Sequence, residues 1–251
     1  MMTKILMIMP VPLPDEALKG FAAQIPPEMI PAGMQIDFTG VRNGTTLLDS
    51  LYEGTLADAF CLEAGLSAEE QGYDAVCINT MSDSGLHALR SRLSIPVVGT
   101  GRSSFFLAAE LGRKFSVITM WPEWYWLYEK LAKDTGLGDR MASIRDIGVR
   151  PDTQELLAGK EEFVFAALEE QCLKAVHEDG ADVLILGSTT MHQSAGYLQP
   201  RLPVPLINPG LLAFKQCELL LDLKLAQSKR AWPAPKTPND DVLRHVPKVF
   251  G

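Results

Sequence analysis

Two short stretches of the chain gather hydroxyls, an acid and a histidine in a pattern suited to proton transfer or to holding an oxygen anion. The first is Asn79-Thr80-Met81-Ser82-Asp83-Ser84-Gly85 and the second is Gly187-Ser188-Thr189-Thr190-Met191-His192. Each follows an apolar run, where a strand hands over to a helix. Backbone N–H groups at such a place, with Ser and Thr hydroxyls beside them, suit an anionic or carbonyl oxygen. The plainer reading is that the hydroxyls only cap helices. His192 adds a group that titrates near neutrality, the commonest general acid or base. Asp83, three residues past Thr80, is placed to orient a base, or to serve as a first-turn carboxylate.

A third stretch, Trp121-Pro122-Glu123-Trp124-Tyr125-Trp126, packs aromatic residues far above the 8% background of the chain. Large rings with N–H and O–H handles suit the wall of a pocket for a bulky or ring-bearing substrate. The substrate-binding candidates are therefore Thr119, Trp121, Glu123 and Tyr125 here, Asn79, Met81 and Ser82 in the first segment, and Thr189 and Thr190 in the second. Pro10 joins them from the Pro10-Val11-Pro12 turn after the first apolar run. Gly99-Thr100-Gly101-Arg102 has too few glycines for a phosphate loop and reads as a turn into a helix. No compact spacing such as HExxH draws Asp83, His192 and Glu123 into a metal site, and no metal is expected.

The elements that must position these residues alternate in type. Short apolar runs at Ile5–Met9, Met34–Val41, Asp74–Ile78, Ile95–Val98, Phe115–Thr119, Ile144–Val149, Asp182–Leu186 and Val204–Ile207 predict strands. Helices are predicted at Gly54–Gln71, Ser103–Leu111, Trp124–Thr135, Lys160–Glu178 and Leu211–Leu223. Strands apolar on both faces, alternating with helices, mean a parallel sheet in an α/β fold.

The pattern also repeats. Gly72-Tyr73-Asp74-Ala75-Val76-Cys77-Ile78 matches Gly180-Ala181-Asp182-Val183-Leu184-Ile185-Leu186, and Arg92–Val98 matches Arg201–Ile207. Lys4-Ile5-Leu6-Met7-Ile8 likewise matches Lys114-Phe115-Ser116-Val117-Ile118. Three matches in order at a nearly constant offset predict two similar α/β halves, 1–112 and 113–225. The strand ends facing their junction are where a ligand is expected. The two hydroxyl-rich segments fall at equivalent places in the repeat, which favours chemistry over capping. Residues 226–251, with Pro233, Pro235, Pro238 and Pro247 and the isolated anchors Trp232 and Phe250, predict an extended arm. Such an arm suits a homo-oligomer in which it wraps a neighbouring subunit.

Composition narrows the classes. Hydrophobic residues are 47% and charged residues 22% of 251, an ordinary globular balance. A formal net charge of −8 disfavours a nucleic-acid surface, because affinity there comes from Lys and Arg neutralising phosphates. No apolar run approaches the roughly 18 residues of a membrane span. A cytoplasmic protein with a small-molecule substrate is expected. The four cysteines, Cys61, Cys77, Cys172 and Cys217, form no CxxC pair, and each is expected in the core.

Gly72–Ile78 followed by Asp83-Ser84-Gly85-Leu86 resembles the first catalytic segment of the aspartate/glutamate/hydantoin racemase superfamily, and Gly180–Gly187 resembles the second. The hydantoin and allantoin racemase branch is the nearest match, and the likeness spans about residues 2–225. It implies two pseudo-symmetric Rossmann-like lobes with parallel sheets, an interlobe active-site cleft and no cofactor. In racemases of this kind each segment carries one cysteine, the pair acting as opposed acid and base. Aligned residue by residue, those positions are Thr80 and Ser188. An alcohol is a far weaker acid or base than a thiol unless something activates it. Thr80, Ser188, His192 and Asp83 are thus the catalytic candidates.

The expected function is that of a racemase-superfamily enzyme acting on a small cyclic amide or carboxylate by non-cysteine acid–base chemistry. Arylmalonate decarboxylases and maleate isomerases share the superfamily, so isomerase and lyase chemistry are both expected possibilities. The alternatives are a hydrolase, using Ser188 as nucleophile or an activated water, and a non-catalytic small-ligand binder.

Overall fold

The computed structural model describes residues 2–151, 162–244 and 249. The chain divides into two compact units, Met1–Thr100 with Ala213–Gly251, and Gly101–Leu212. The start of the predicted helix Lys160–Glu178, and the arm residues His245, Pro247 and Phe250, lie outside the described residues.

In the first unit β1 (Thr3–Met9), β2 (Met34–Gly40), β3 (Ala75–Ile78) and β4 (Val97–Gly99) form one sheet in the order β2-β1-β3-β4. Every pairing is parallel, with Ile5 opposite Ile36 on one side and Ala75 on the other. In the second unit β5 (Phe115–Thr119), β6 (Met141–Asp146), β7 (Val183–Leu186) and β8 (Leu206–Ile207) take the order β6-β5-β7-β8, again wholly parallel. The two orders are the same, as the sequence repeat requires. The helices are α1 (Asp15–Ala22), α2 (Leu51–Gly65), α3 (Leu86–Arg92), α4 (Thr100–Leu111), α5 (Tyr125–Thr135), α6 (Glu162–His177), α7 (His192–Leu198), α8 (Pro209–Asp222) and α9 (Asp241–Arg244).

Strands β3, β5 and β7 are buried along their whole length, which is why β3 and β7 read as unbroken apolar runs and β5 as one interrupted only by Ser116 before it ends at Thr119. The edge strands β2 and β6 are half-buried throughout. The repeated Gly-x-Asp motif turns out to hold the sheets together. Gly72 and Gly180 both adopt left-handed backbone, at φ 78° and 75°, which a side chain would strain. Asp74 accepts the Lys4 N–H at 2.8 Å, and its counterpart Asp182 accepts those of Arg113 and Lys114 at 2.9 and 3.1 Å. Each aspartate thereby pins the start of the neighbouring central strand.

Strand β6 departs from the sequence reading Ile144–Val149. Asp146 accepts the Gly148 N–H at 2.7 Å, and Gly148 turns left-handed at φ 69°. This local turn ends the strand early despite the apolar residues beyond it.

After α8 the arm lies along α3 of its own unit. Gln227 donates to the Leu93 and Ile95 carbonyls and accepts the Val97 N–H. The Trp232 indole donates to His87 Nδ1 at 3.0 Å and sits under Arg90, while Arg92 pairs with Asp240 at 2.8 Å. Among the described residues no helix is long and apolar enough to cross a membrane.

Candidate active site

Both hydroxyl-rich segments leave the carboxyl ends of central strands, the ends at which parallel α/β sheets present loops to ligands. The first continues β3. The Asn79 N–H donates to the Ile8 carbonyl at 2.8 Å, extending the ladder by one step, and the Asn79 side chain is fully buried with its Nδ2 on Met9 sulfur. Thr80, Ser82 and Ser84 form a hydroxyl chain, with Oγ separations of 3.2 and 2.7 Å, while Met81 turns into the core.

Asp83 adopts left-handed backbone at φ 51° and lies against Gly99, where an added Cβ would meet the carboxyl carbon at 2.7 Å. The Gly85 N–H donates to Asp58 at 2.8 Å. Glycine is required at Gly85, where φ is 72° and a Cβ would meet the Asp58 carbonyl at 2.8 Å. The segment is therefore a tightly folded turn.

The second segment continues β7 in the same way, with the Gly187 N–H donating to Ile118 at 2.7 Å. Ser188 is half-buried; its Oγ accepts the Thr190 N–H at 3.2 Å and lies 2.8 Å from the Thr190 hydroxyl. Thr189 is buried, and its carbonyl lies 3.3 Å from His192 Nδ1. A carbonyl only accepts, so the neutral imidazole carries its proton on Nδ1 and leaves Nε2 as a base. Burial pushes the His192 pKa below its ordinary value, and the hydrogen bond to Thr189 counters this only in part. His192 is thus neutral near pH 7.

Of the aromatic stretch, Trp124 is buried and Glu123 exposed. Trp121 is half-buried, edge-on to Trp124 at 6.3 Å and beneath Arg150. The Tyr125 hydroxyl donates to Asp146 at 2.6 Å. Burial and that carboxylate raise its pKa well above the tyrosine range, so Tyr125 keeps its proton at neutral pH. Thr119 is fully buried, its hydroxyl 2.8 Å from that of Tyr128. Pro10 is buried and its carbonyl accepts the Thr45 hydroxyl at 2.5 Å.

Three residues enter this picture that sequence reasoning did not single out. Thr45 holds Pro10. Glu53 accepts four hydrogen bonds from Thr46, Leu47 and Leu48, folding the loop between β2 and α2. Burial pushes its carboxyl pKa up, but these donors outweigh that and hold it below the usual range. The Ser50-x-x-Glu53 spacing of a helix start was its available signal. Tyr128 gave none, because a tyrosine at an apolar helix position reads as core.

All four cysteines are free and buried at 0% exposure. Burial raises the Cys172 thiol to about 12 and pushes Cys61 up further. A hydrogen bond with Cys77 and burial together raise Cys217. Thiolates are the species that react. Stoichiometric iodoacetamide is therefore expected to leave the folded protein's activity intact, as is Cys172→Ala. Substrate-protected loss of all activity on alkylation would overturn that expectation. Among the described residues no three His, Cys, Asp or Glu side chains cluster as metal ligands would.

Comparison with known proteins gives this arrangement its context. The family model described as "Asp/Glu/Hydantoin racemase" matches residues 15–217. A hydantoin racemase from Pseudomonas sp. (strain NS671) is 33% identical over 197 residues, covering 78% of this chain and 77% of that protein. A second hydantoin racemase, from Paenarthrobacter aurescens, is 27% identical over 221 residues, 87% of this chain and 92% of its own. The solved structure of allantoin racemase from Klebsiella pneumoniae superposes with a TM-score of 0.83 at 26% identity, covering 94% of this chain and 95% of that one.

Proposed function

Because the chain belongs to the Asp/Glu/hydantoin racemase family, we propose that it isomerises a small cyclic amide of the hydantoin type, inverting a carbon next to a carbonyl. The observation that carries this reading is the 33% identity to a hydantoin racemase over most of both chains. It is supported by the pair of hydroxyl-bearing turns at equivalent strand ends. The relatives reported above bear racemase names, which favours isomerisation and leaves the hydrolase alternative without support.

The proposed chemistry uses the chain's own side chains. A carbon flanked by a carbonyl becomes acidic when the enolate oxygen formed on proton loss is stabilised. His192 Nε2 takes the proton, and the Ser188 hydroxyl with its backbone N–H holds the developing oxyanion. Reprotonation from the other face completes the inversion. Thr80, at the repeat position equivalent to Ser188, is the proposed relay for that proton, its hydroxyl taking one from water as it gives one up, while the His192 imidazolium returns the abstracted proton to solvent; Asp83 orients the turn. Trp121 offers a ring face to a bulky substituent on the substrate.

The test is incubation of the purified protein with enantiopure 5-benzylhydantoin in D2O. The expected result is deuterium uptake at C5 together with loss of optical activity, well above the buffer rate. Allantoin is the second probe. Absence of exchange with both compounds would sink the cyclic-ureide reading.

A further inference from the structure

Tyr128 is completely buried, yet its hydroxyl takes part in two hydrogen bonds. It donates to the Gly187 carbonyl at 2.7 Å and lies 2.8 Å from Thr119 Oγ1. Burial raises the phenol pKa well above the ordinary range, so the hydroxyl keeps its one proton. That proton goes to the carbonyl, which can only accept. Thr119 is then the donor to Tyr128. The result is a directed chain from Thr119 through Tyr128 to the carbonyl of the residue just before Ser188, in which each bond polarises the next.

The fit is close. A Cβ at Gly187 would fall 2.6 Å from the Tyr128 oxygen and 2.8 Å from Thr119 Cβ, so only glycine admits the clamp. A peptide unit is planar and trans, and its C=O and N–H point in opposite directions. Fixing the Gly187 carbonyl toward Tyr128 therefore fixes the Ser188 N–H away from it. Among the described residues that N–H meets no acceptor.

The first unit is built differently. The Thr80 N–H donates to the Ile78 carbonyl at 2.9 Å, and the repeat places Leu18, with no hydroxyl, where Tyr128 stands in the second unit. The clamp thus belongs to the Ser188 side alone, where the repeat has diverged.

We infer that Tyr128, supported by Thr119, is a positioning residue that sets the Gly187–Ser188 peptide plane, and with it the direction of the Ser188 N–H toward the reacting oxygen. This rests on the assignment of Ser188 to the active site. Tyr128 touches no substrate. Its effect appears in turnover, because a donor aimed at charge that develops in the transition state matters less to ground-state binding.

Two readouts on Tyr128→Phe test it. In the 5-benzylhydantoin exchange assay kcat is expected to fall roughly 10- to 100-fold with KM changed by less than about threefold, the scale of a misdirected catalytic group. Thr119→Val should move kcat the same way by less. In 1H–15N spectra of the protein without ligand, the Ser188 amide resonance should shift in both variants, while amides of α6 stay in place as a check on folding. An unmoved Ser188 amide in folded Tyr128→Phe, or an exchange rate equal to wild type, would overturn the inference. If wild type fails to exchange either probe, the substrate reading fails. The amide shift then still decides the clamp.

Discussion

His192→Ala is expected to slow C5 proton exchange by roughly 10²–10⁴-fold, the range for loss of a general base. His192→Gln should fail to a similar degree, since an amide keeps a hydrogen bond to Thr189 but cannot take a proton. The pH profile gives an independent reading. A base works in its unprotonated form, so activity is present above its pKa and lost as pH falls through it. Burial depresses that pKa, placing the acid limb below the ordinary histidine value of 6.5. The sign for stability is the same. The unfolded chain takes up this proton at a higher pH than the folded one does, so folding weakens as pH falls below 6.5. A wild-type rate in both variants, with an unchanged acid limb, would remove His192 from the mechanism.

Ser188→Ala is expected to reduce kcat by roughly 10²–10³-fold, the loss seen when one donor to an oxyanion is removed. The hydroxyl also accepts the Thr190 N–H at 3.2 Å at the start of a short 3-10 turn. Losing that bond costs about 1 kcal/mol of stability, too little to account for the rate. Thr80→Ala should lower kcat in the same direction, since it breaks the chain to Ser82 and Ser84 at its first hydroxyl. Ser188→Cys supplies a check on the alignment. This variant should acquire sensitivity to iodoacetamide that the wild type lacks, because its thiol would be half-exposed, unlike the four buried ones. Full kcat in both alanine variants would reduce the two segments to helix starts.

Much of the molecule was legible in the residues alone. Apolar runs such as Val183–Leu186, alternating with helices, pointed to strands buried on both faces of a parallel sheet, and the repeated motifs pointed to two similar α/β halves. Gly72 with Gly180 and Asp74 with Asp182 are local devices: a left-handed turn and a carboxylate reaching the start of the adjacent strand. Strand ends followed by hydroxyls marked where chemistry was to be sought.

Side-chain partners were decided only by the tertiary structure. Tyr125 and Tyr128 sit on one helix and look alike in sequence. One is bound to Asp146 on an edge strand and the other is clamped to the Gly187 carbonyl. The same packing buried Trp124, left Glu123 in solvent and laid Trp232 on His87, 145 residues away in the chain. Periodicity reports which face of an element turns inward, since that depends on residues a few positions apart. It does not report what a hydroxyl or ring meets there, because buried polar atoms find their partners across elements brought together only when the core closes.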